Sequence, residues 1–97
     1  VGVDVHVFRK ESRHRKTELG VVPDPAFVFA DLLARVDHPL LNRINPYGSR
    51  ELGSVDMSDF IAALDAVGAE GRHFDDLRAL AAVCAADRSL TMAFEGD

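Results

Sequence analysis

Val3-Asp4-Val5-His6-Val7-Phe8 near one end of the chain and Leu90-Thr91-Met92-Ala93-Phe94-Glu95 near the other decide the fold. In the first, β-branched valines alternate with Asp4, His6 and Phe8 at a period of two, the pattern of a strand that lays one face on a core. The second reads as a strand of similar length. A strand at a chain end has no partner beside it in sequence, so its N–H and C=O groups must pair with something distant or stay wet. The two ends are therefore expected to meet in one sheet, with parallel and antiparallel pairing both open.

Almost everything between them carries helical spacing. Asp24-Pro25 predicts a helix start, because Asp accepts from an orphan N–H of the first turn and Pro fits the first helical position. Phe29, Leu32, Leu33 and Val36 then recur at i, i+3, i+4 and i+7, which predicts a helix over 25–36. Ser54 reads as the cap of a second helix over 55–67, where Met57, Phe60, Ile61, Leu64 and Val67 form the stripe. Gly68 and Gly71 stop it. A third helix over 74–86 places Leu77, Leu80, Ala81 and Cys84 on one face. Leu19-Gly20-Val21-Val22 is expected as a short returning strand, closed by Pro23, which cannot donate to a ladder.

Residues 37–53 read as irregular, punctuated by Pro39, Pro46, Gly48 and Gly53, with a β-turn at Asn45-Pro46-Tyr47-Gly48. Leu40, Leu41 and Ile44 are read as plugs that fasten this segment to the core. The expected architecture is one α+β domain, 1–97. A two- or three-stranded sheet (3–8, 19–22 and 90–95) carries the three helices on one face.

Composition limits the function classes. Hydrophobic residues at 47 % and charged residues at 28 % are ordinary globular usage, and no apolar run approaches the ~20 residues of a membrane span. Asp4 and His6 interrupt any signal-like start. The single cysteine, Cys84, forbids an internal disulfide and thiolate-rich zinc sites, so a cytoplasmic setting is expected. Arg outnumbers Lys nine to two, as a GC-rich genome would give. The net charge of −5 is uneven: residues 1–20 carry +2 and residues 21–97 carry −7. A basic segment thus projects from an acidic body, and an acidic body favours basic partners over nucleic acid.

Three sets of residues bear chemistry. Arg9, Lys10, Arg13, His14, Arg15 and Lys16 concentrate positive charge where a hairpin tip is expected, and could contact phosphate. No aromatic residue lies within 9–16 to stack on a base, so nucleic acid is the less favoured partner. Asp4 and His6 share one face of the first strand, where Glu95 or Asp97 could complete a carboxylate/imidazole site, yet local spacing fixes no third ligand. Cys84 on an apolar helix face reads as a small hydrophobe. The frame Gly48 to Phe60 mimics a calcium loop, but Gly48, Arg50 and Leu52 stand where oxygen donors belong. Phosphate-cradling and nucleophile-elbow motifs are absent, and nothing calls for a cofactor.

Gly2-Val3-Asp4-Val5-His6, Leu40-Leu41-Asn42-Arg43-Ile44-Asn45-Pro46-Tyr47-Gly48 and Phe94-Glu95-Gly96-Asp97 together resemble small uncharacterised actinobacterial proteins of about this length. The resemblance spans most of the chain and brings no catalytic or binding residue with it. Some small acidic bacterial proteins of this general kind act as immunity partners that plug a toxin. Residues and resemblance together lead to a non-enzymatic protein-interaction module, immunity-like or regulatory, that binds through its acidic surface and the segment 37–53, Tyr47 included. The alternatives are phosphate or nucleic-acid contact through 9–16, and a small enzyme or metal protein built on Asp4 and His6. A short sheet also leaves an edge through which a second copy could pair.

Overall fold

Asp4 pairs with Glu95 and Arg9 with Leu90 along one antiparallel ladder, so the two ends of the chain lie side by side at the centre of the sheet. The computed structural model describes residues 2–96. Its elements are β1 (Asp4–Ser12), β2 (Arg15–Val22), α1 (Val28–Arg35), β3 (Ser49–Gly53), α2 (Met57–Ala66), α3 (Arg72–Ala85) and β4 (Leu90–Glu95), with short 3-10 turns at Leu41–Arg43 and Ser54–Asp56. The α+β class stands, and the sheet has four antiparallel strands in the order β2-β1-β4-β3.

The alternation seen in the sequence decides which face is covered. Val5 and Val7 of β1 meet Phe94 and Met92 of β4, and all four are buried against the helices. Phe29 of α1, Phe60 of α2, Phe74 of α3 and Phe94 of β4 form one aromatic cluster, with Phe60 and Phe94 edge-on at 5.3 Å between centroids. The opposite sheet face is polar and carries Asp4, His6, Glu18, Glu51 and Glu95.

Several boundaries differ from those the sequence predicts, among them the start of α3, at Arg72 where residue 74 is expected. β2 begins at Arg15 instead of residue 19, and β1 runs on to Ser12, so the basic segment is a hairpin whose turn is only Arg13-His14. Residues 10–12 and 15–16 extend beyond the Arg9↔Leu90 pair as a two-stranded ribbon with no third strand beside it. The segment 37–53 is not irregular throughout, because Ser49–Gly53 forms β3 on the outer side of β4.

α1 starts at Val28, three residues later than predicted. Pro25 and Ala26 make a turn and Phe27 takes a left-handed conformation (φ 60°). The Asp24 carboxylate reaches across that turn to accept from Phe29 N (3.1 Å) and Ala30 N (3.0 Å). The capping role of Asp24 holds while its position relative to the helix does not. At α2, Ser54 opens a 3-10 turn instead of capping, and Asp56 supplies the acceptor for Gly53 N at 3.0 Å. Its other end follows the prediction: Gly68 (φ 70°) donates to the Asp65 carbonyl and Ala69 to the Leu64 carbonyl, the paired bonds of a Schellman stop.

The candidate interaction surfaces

Leu41 and Ile44 are 1 % and 3 % exposed, so the segment after α1 is fastened to the core through these plugs, as the sequence leads one to expect. Around Leu41, over residues 37–42, the backbone closes on itself. Asn42 N donates to the His38 carbonyl (2.8 Å), its side-chain amide donates to Asp37 Oδ1 (2.7 Å), and Leu40 N donates to His38 Nδ1 (3.2 Å). A rigid ridge results. Facing it, α2 presents Asp59, Ala62 and Ala66, side chains too short to fill the gap, and a groove of about 480 Å³ lies between ridge and helix. Pro39, Leu40 and the alanines give it apolar walls, while Arg43 and Asp59 stand at the rim. Such a hollow accepts an apolar side chain with a charged neighbour.

The basic residues do not form one cluster of free cations. Arg9 Nη2 is 2.8 Å from Asp87 Oδ2, and Arg9 Nε donates to Ser89 Oγ at 2.9 Å. Lys10 Nζ is 3.5 Å from Glu51 Oε1. The Lys16 ammonium sits 4.6 Å above the Phe8 ring, so its stem covers that ring on the polar face of the sheet and Phe8 is only 5 % exposed. Arg13, His14 and Arg15 have no ion-pair partner among the described residues. Tyr47 is 77 % exposed but lies at the other end of the sheet, next to the Ser49↔Glu95 pair, so it and the ribbon tip do not form one local site.

Asp4 and His6 part company. Asp4 Oδ1 accepts from Asp24 N (2.8 Å), whereas the His6 ring lies between two carboxylates, Nδ1 at 2.5 Å from Glu18 Oε1 and Nε2 at 3.6 Å from Glu95 Oε2. Those carboxylates approach opposite ring nitrogens and do not converge on one point. Among the described residues no group of three or more His, Cys, Asp or Glu side chains is arranged to hold a metal. Asp97, the other acid considered beside His6, lies outside the described residues.

A second groove, about 560 Å³, runs between β2 and α3 and was not signalled by any motif. Its walls include Val21, Leu80 and Val83, with Asp76 on the helix side and His73 at one end. The clue in the sequence is an edge strand whose Val21 has no inward place. His73 Nε2 is buried without a hydrogen-bond partner and stands 3.7 Å from Asp24 Oδ1. Burial pushes the Asp24 carboxyl up, but N–H bonds from Ala30, Val3 and Phe29, aided by His73, outweigh it and leave the group below the usual carboxylate value. Cys84 is fully buried, and burial, followed by the charges of Asp56 and Asp87, raises its thiol above the ordinary value. No helix among the described residues is long and apolar enough to cross a membrane.

Set against known proteins, the chain matches no family model, no curated protein and no solved structure, so its own residues are what a functional reading must stand on.

Proposed function

We propose that this chain is a non-enzymatic protein-interaction module, immunity-like or regulatory in role, that receives a partner in the groove between His38–Arg43 and α2. The observation that carries the reading is the fastened ridge: Leu41 and Ile44 are spent on the core, so the apolar walls they leave standing, Pro39 and Leu40 against Ala62 and Ala66, are pre-formed. A rigid hollow loses little entropy on binding. Exposed Asp59 lines the groove, and the chain as a whole carries −7 over residues 21–97. That chemistry suits a partner segment in which an apolar side chain is followed by Lys or Arg.

A photoreactive residue at Ala62 tests this in the native host. It is expected to give one discrete adduct with another protein, and Ala66→Arg, which fills the groove, is expected to abolish it. Adducts of equal yield from Ala62 and from Val83, which is exposed on α3 and does not line this groove, would refute the proposal.

A second reading, contact with phosphate or nucleic acid, draws support from the form of the basic segment. A two-stranded ribbon is an element that the major groove of DNA admits, and Arg13 and Arg15 at its tip have no ion-pair partner among the described residues. It requires binding that weakens steeply with salt and disappears when Arg9, Lys10, Arg13, Arg15 and Lys16 are changed to Ser. Salt-insensitive binding, or none, removes it.

A further inference from the structure

β2 is an outer strand, so one side of its backbone over Arg15–Val22 faces no other strand of the sheet. Natural edges are commonly defended by charge or a bulge, and β2 has both: Arg15 and Lys16 along it, and an extra residue at Leu19, where Val7 meets Gly20 but Phe8 meets Glu18. The order of those charges is what points to an occupant. Lys16 and Glu18 are two apart, hence on the same face, and both line the polar side of the sheet beside Phe8 and His6.

We propose that this edge pairs with a second copy of the chain, antiparallel, about a twofold axis through Thr17. Residues directly opposite in an antiparallel pair share a face, so this axis sets Lys16 against Glu18 of the second copy, and symmetry makes the contact twice. Neighbouring registers are worse. An axis through Lys16 or through Glu18 sets like charges against each other, an axis through Leu19 leaves both charges opposite uncharged residues, and an axis through Gly20 sets Glu18 against Val22 and carries Lys16 past the end of the other copy's β2. An axis between residues would oppose the two faces of the sheet and lose its continuity.

The same axis accounts for two further features. It carries the Arg13-His14 turn of each copy toward the Val21 end of the other, where Asp76 borders the groove between β2 and α3. The Arg13-His14 turn of one copy, which has no ion-pair partner among the described residues, then meets the part of the other copy that carries −7 over residues 21–97. It also covers Leu19 and Val21, which are 44 % and 45 % exposed in one copy. The ladder over Arg15–Leu19 is short beside a standard interface of about 1,200–2,000 Å². Association is accordingly reversible and dissociates on dilution.

The test is sedimentation velocity over a range of concentrations for the unaltered chain, Lys16→Glu, Glu18→Lys and the double exchange. The unaltered chain should show a monomer–dimer equilibrium. Each single exchange turns two attractions into two repulsions and should weaken association by on the order of tenfold, and the double exchange should restore it. Hydrogen exchange on the unaltered chain supplies a measurement that no variant's folding affects: amides of residues 15–19 should gain protection as concentration rises. A chain that stays monomeric, a dimer indifferent to the single exchanges, or protection confined to other segments each overturns the proposal. The α2 groove is a separate surface, so a monomeric chain that still gives the Ala62 adduct would sink this inference and leave the proposed function standing.

Discussion

Replacing Asp24 by Ala is the sharpest probe of how the helical layer is tied to the sheet. Its carboxylate, in a residue 2 % exposed, accepts from three backbone donors: Val3 N at 3.0 Å, Phe29 N at 3.1 Å and Ala30 N at 3.0 Å. One of these lies just before the inner strand β1 and two belong to the first turn of α1. Each buried donor left without an acceptor costs about 1–3 kcal/mol. Water entering the vacated space rehydrates part of the set, which brings the expected loss to about 3–5 kcal/mol for Asp24→Ala. Against a total stability of about 5–15 kcal/mol, that is a large fraction. Asp24→Asn keeps one acceptor oxygen and aims an amide at the remaining donors, so about 1–3 kcal/mol is expected.

Urea unfolding followed by circular dichroism, repeated from pH 7 to pH 3, reads both variants. The folded-state pKa of Asp24 is lowered, so the unfolded chain binds this proton more readily than the folded one. Its contribution is complete above the unfolded value of 3.8 and is lost as pH falls through the lower folded value. The acid limb of the unaltered chain should therefore be steeper than that of Asp24→Asn. A loss below about 1 kcal/mol for Asp24→Ala, or identical acid limbs, would refute this account of the tie.

Four other outcomes are expected. Phe60→Ala should cost about 3–5 kcal/mol in thermal or urea melts, since Phe60 is fully buried between Phe29 and Phe94; Leu77→Ala should cost about 2–5 kcal/mol. Gly68→Ala should destabilise by about 1 kcal/mol, because φ of 70° at the α2 stop disfavours a Cβ. Cys84 should resist a thiol reagent at neutral pH until urea unfolds the chain; fast labelling of the native protein would show the α3 face to be open. The Asp87 carboxyl, held at about 2 by the Ser89 hydroxyl and N–H and then by Arg9, should titrate there by NMR and move upward in Ser89→Ala. Its contribution to stability is present above 3.8 and disappears as pH falls through about 2.

What the sequence shows plainly is whatever the core imprints. β1 and β4 were legible because Val5, Val7, Met92 and Phe94 are all sealed under the helices. The first half of β2 was not, because Arg15–Glu18 is exposed throughout and carries no apolar alternation. Its turn gave no hint either: Arg13 and His14 lack the Gly or Asn of a primed hairpin turn, neither has a positive φ, and a bulge at Glu11 takes up the mismatch. β3 was hidden for a related reason, since Leu52 is the one fully buried side chain in Ser49–Gly53. Of the candidate surfaces, the charge of residues 9–16 and the plugs Leu41 and Ile44 were readable. The α2 groove depends on the absence of bulk at Ala62 and Ala66, and the β2–α3 groove on where an edge strand falls. Neither leaves a spacing signature.

Because β4 follows all the other described elements and is yet an inner strand, β3 has no strand to pair with until β4 arrives. During synthesis the β1–β2 hairpin and the three helices emerge first, with the sides of β1 and β3 that will face β4 waiting open. Contacts such as Asp4↔Glu95 join residues far apart in the sequence, and closing so long a loop comes late and slowly. A ribosome-stalled chain ending before Leu90 should consequently be a protease-sensitive and adhesive species, rescued in a single step when that closing segment is released.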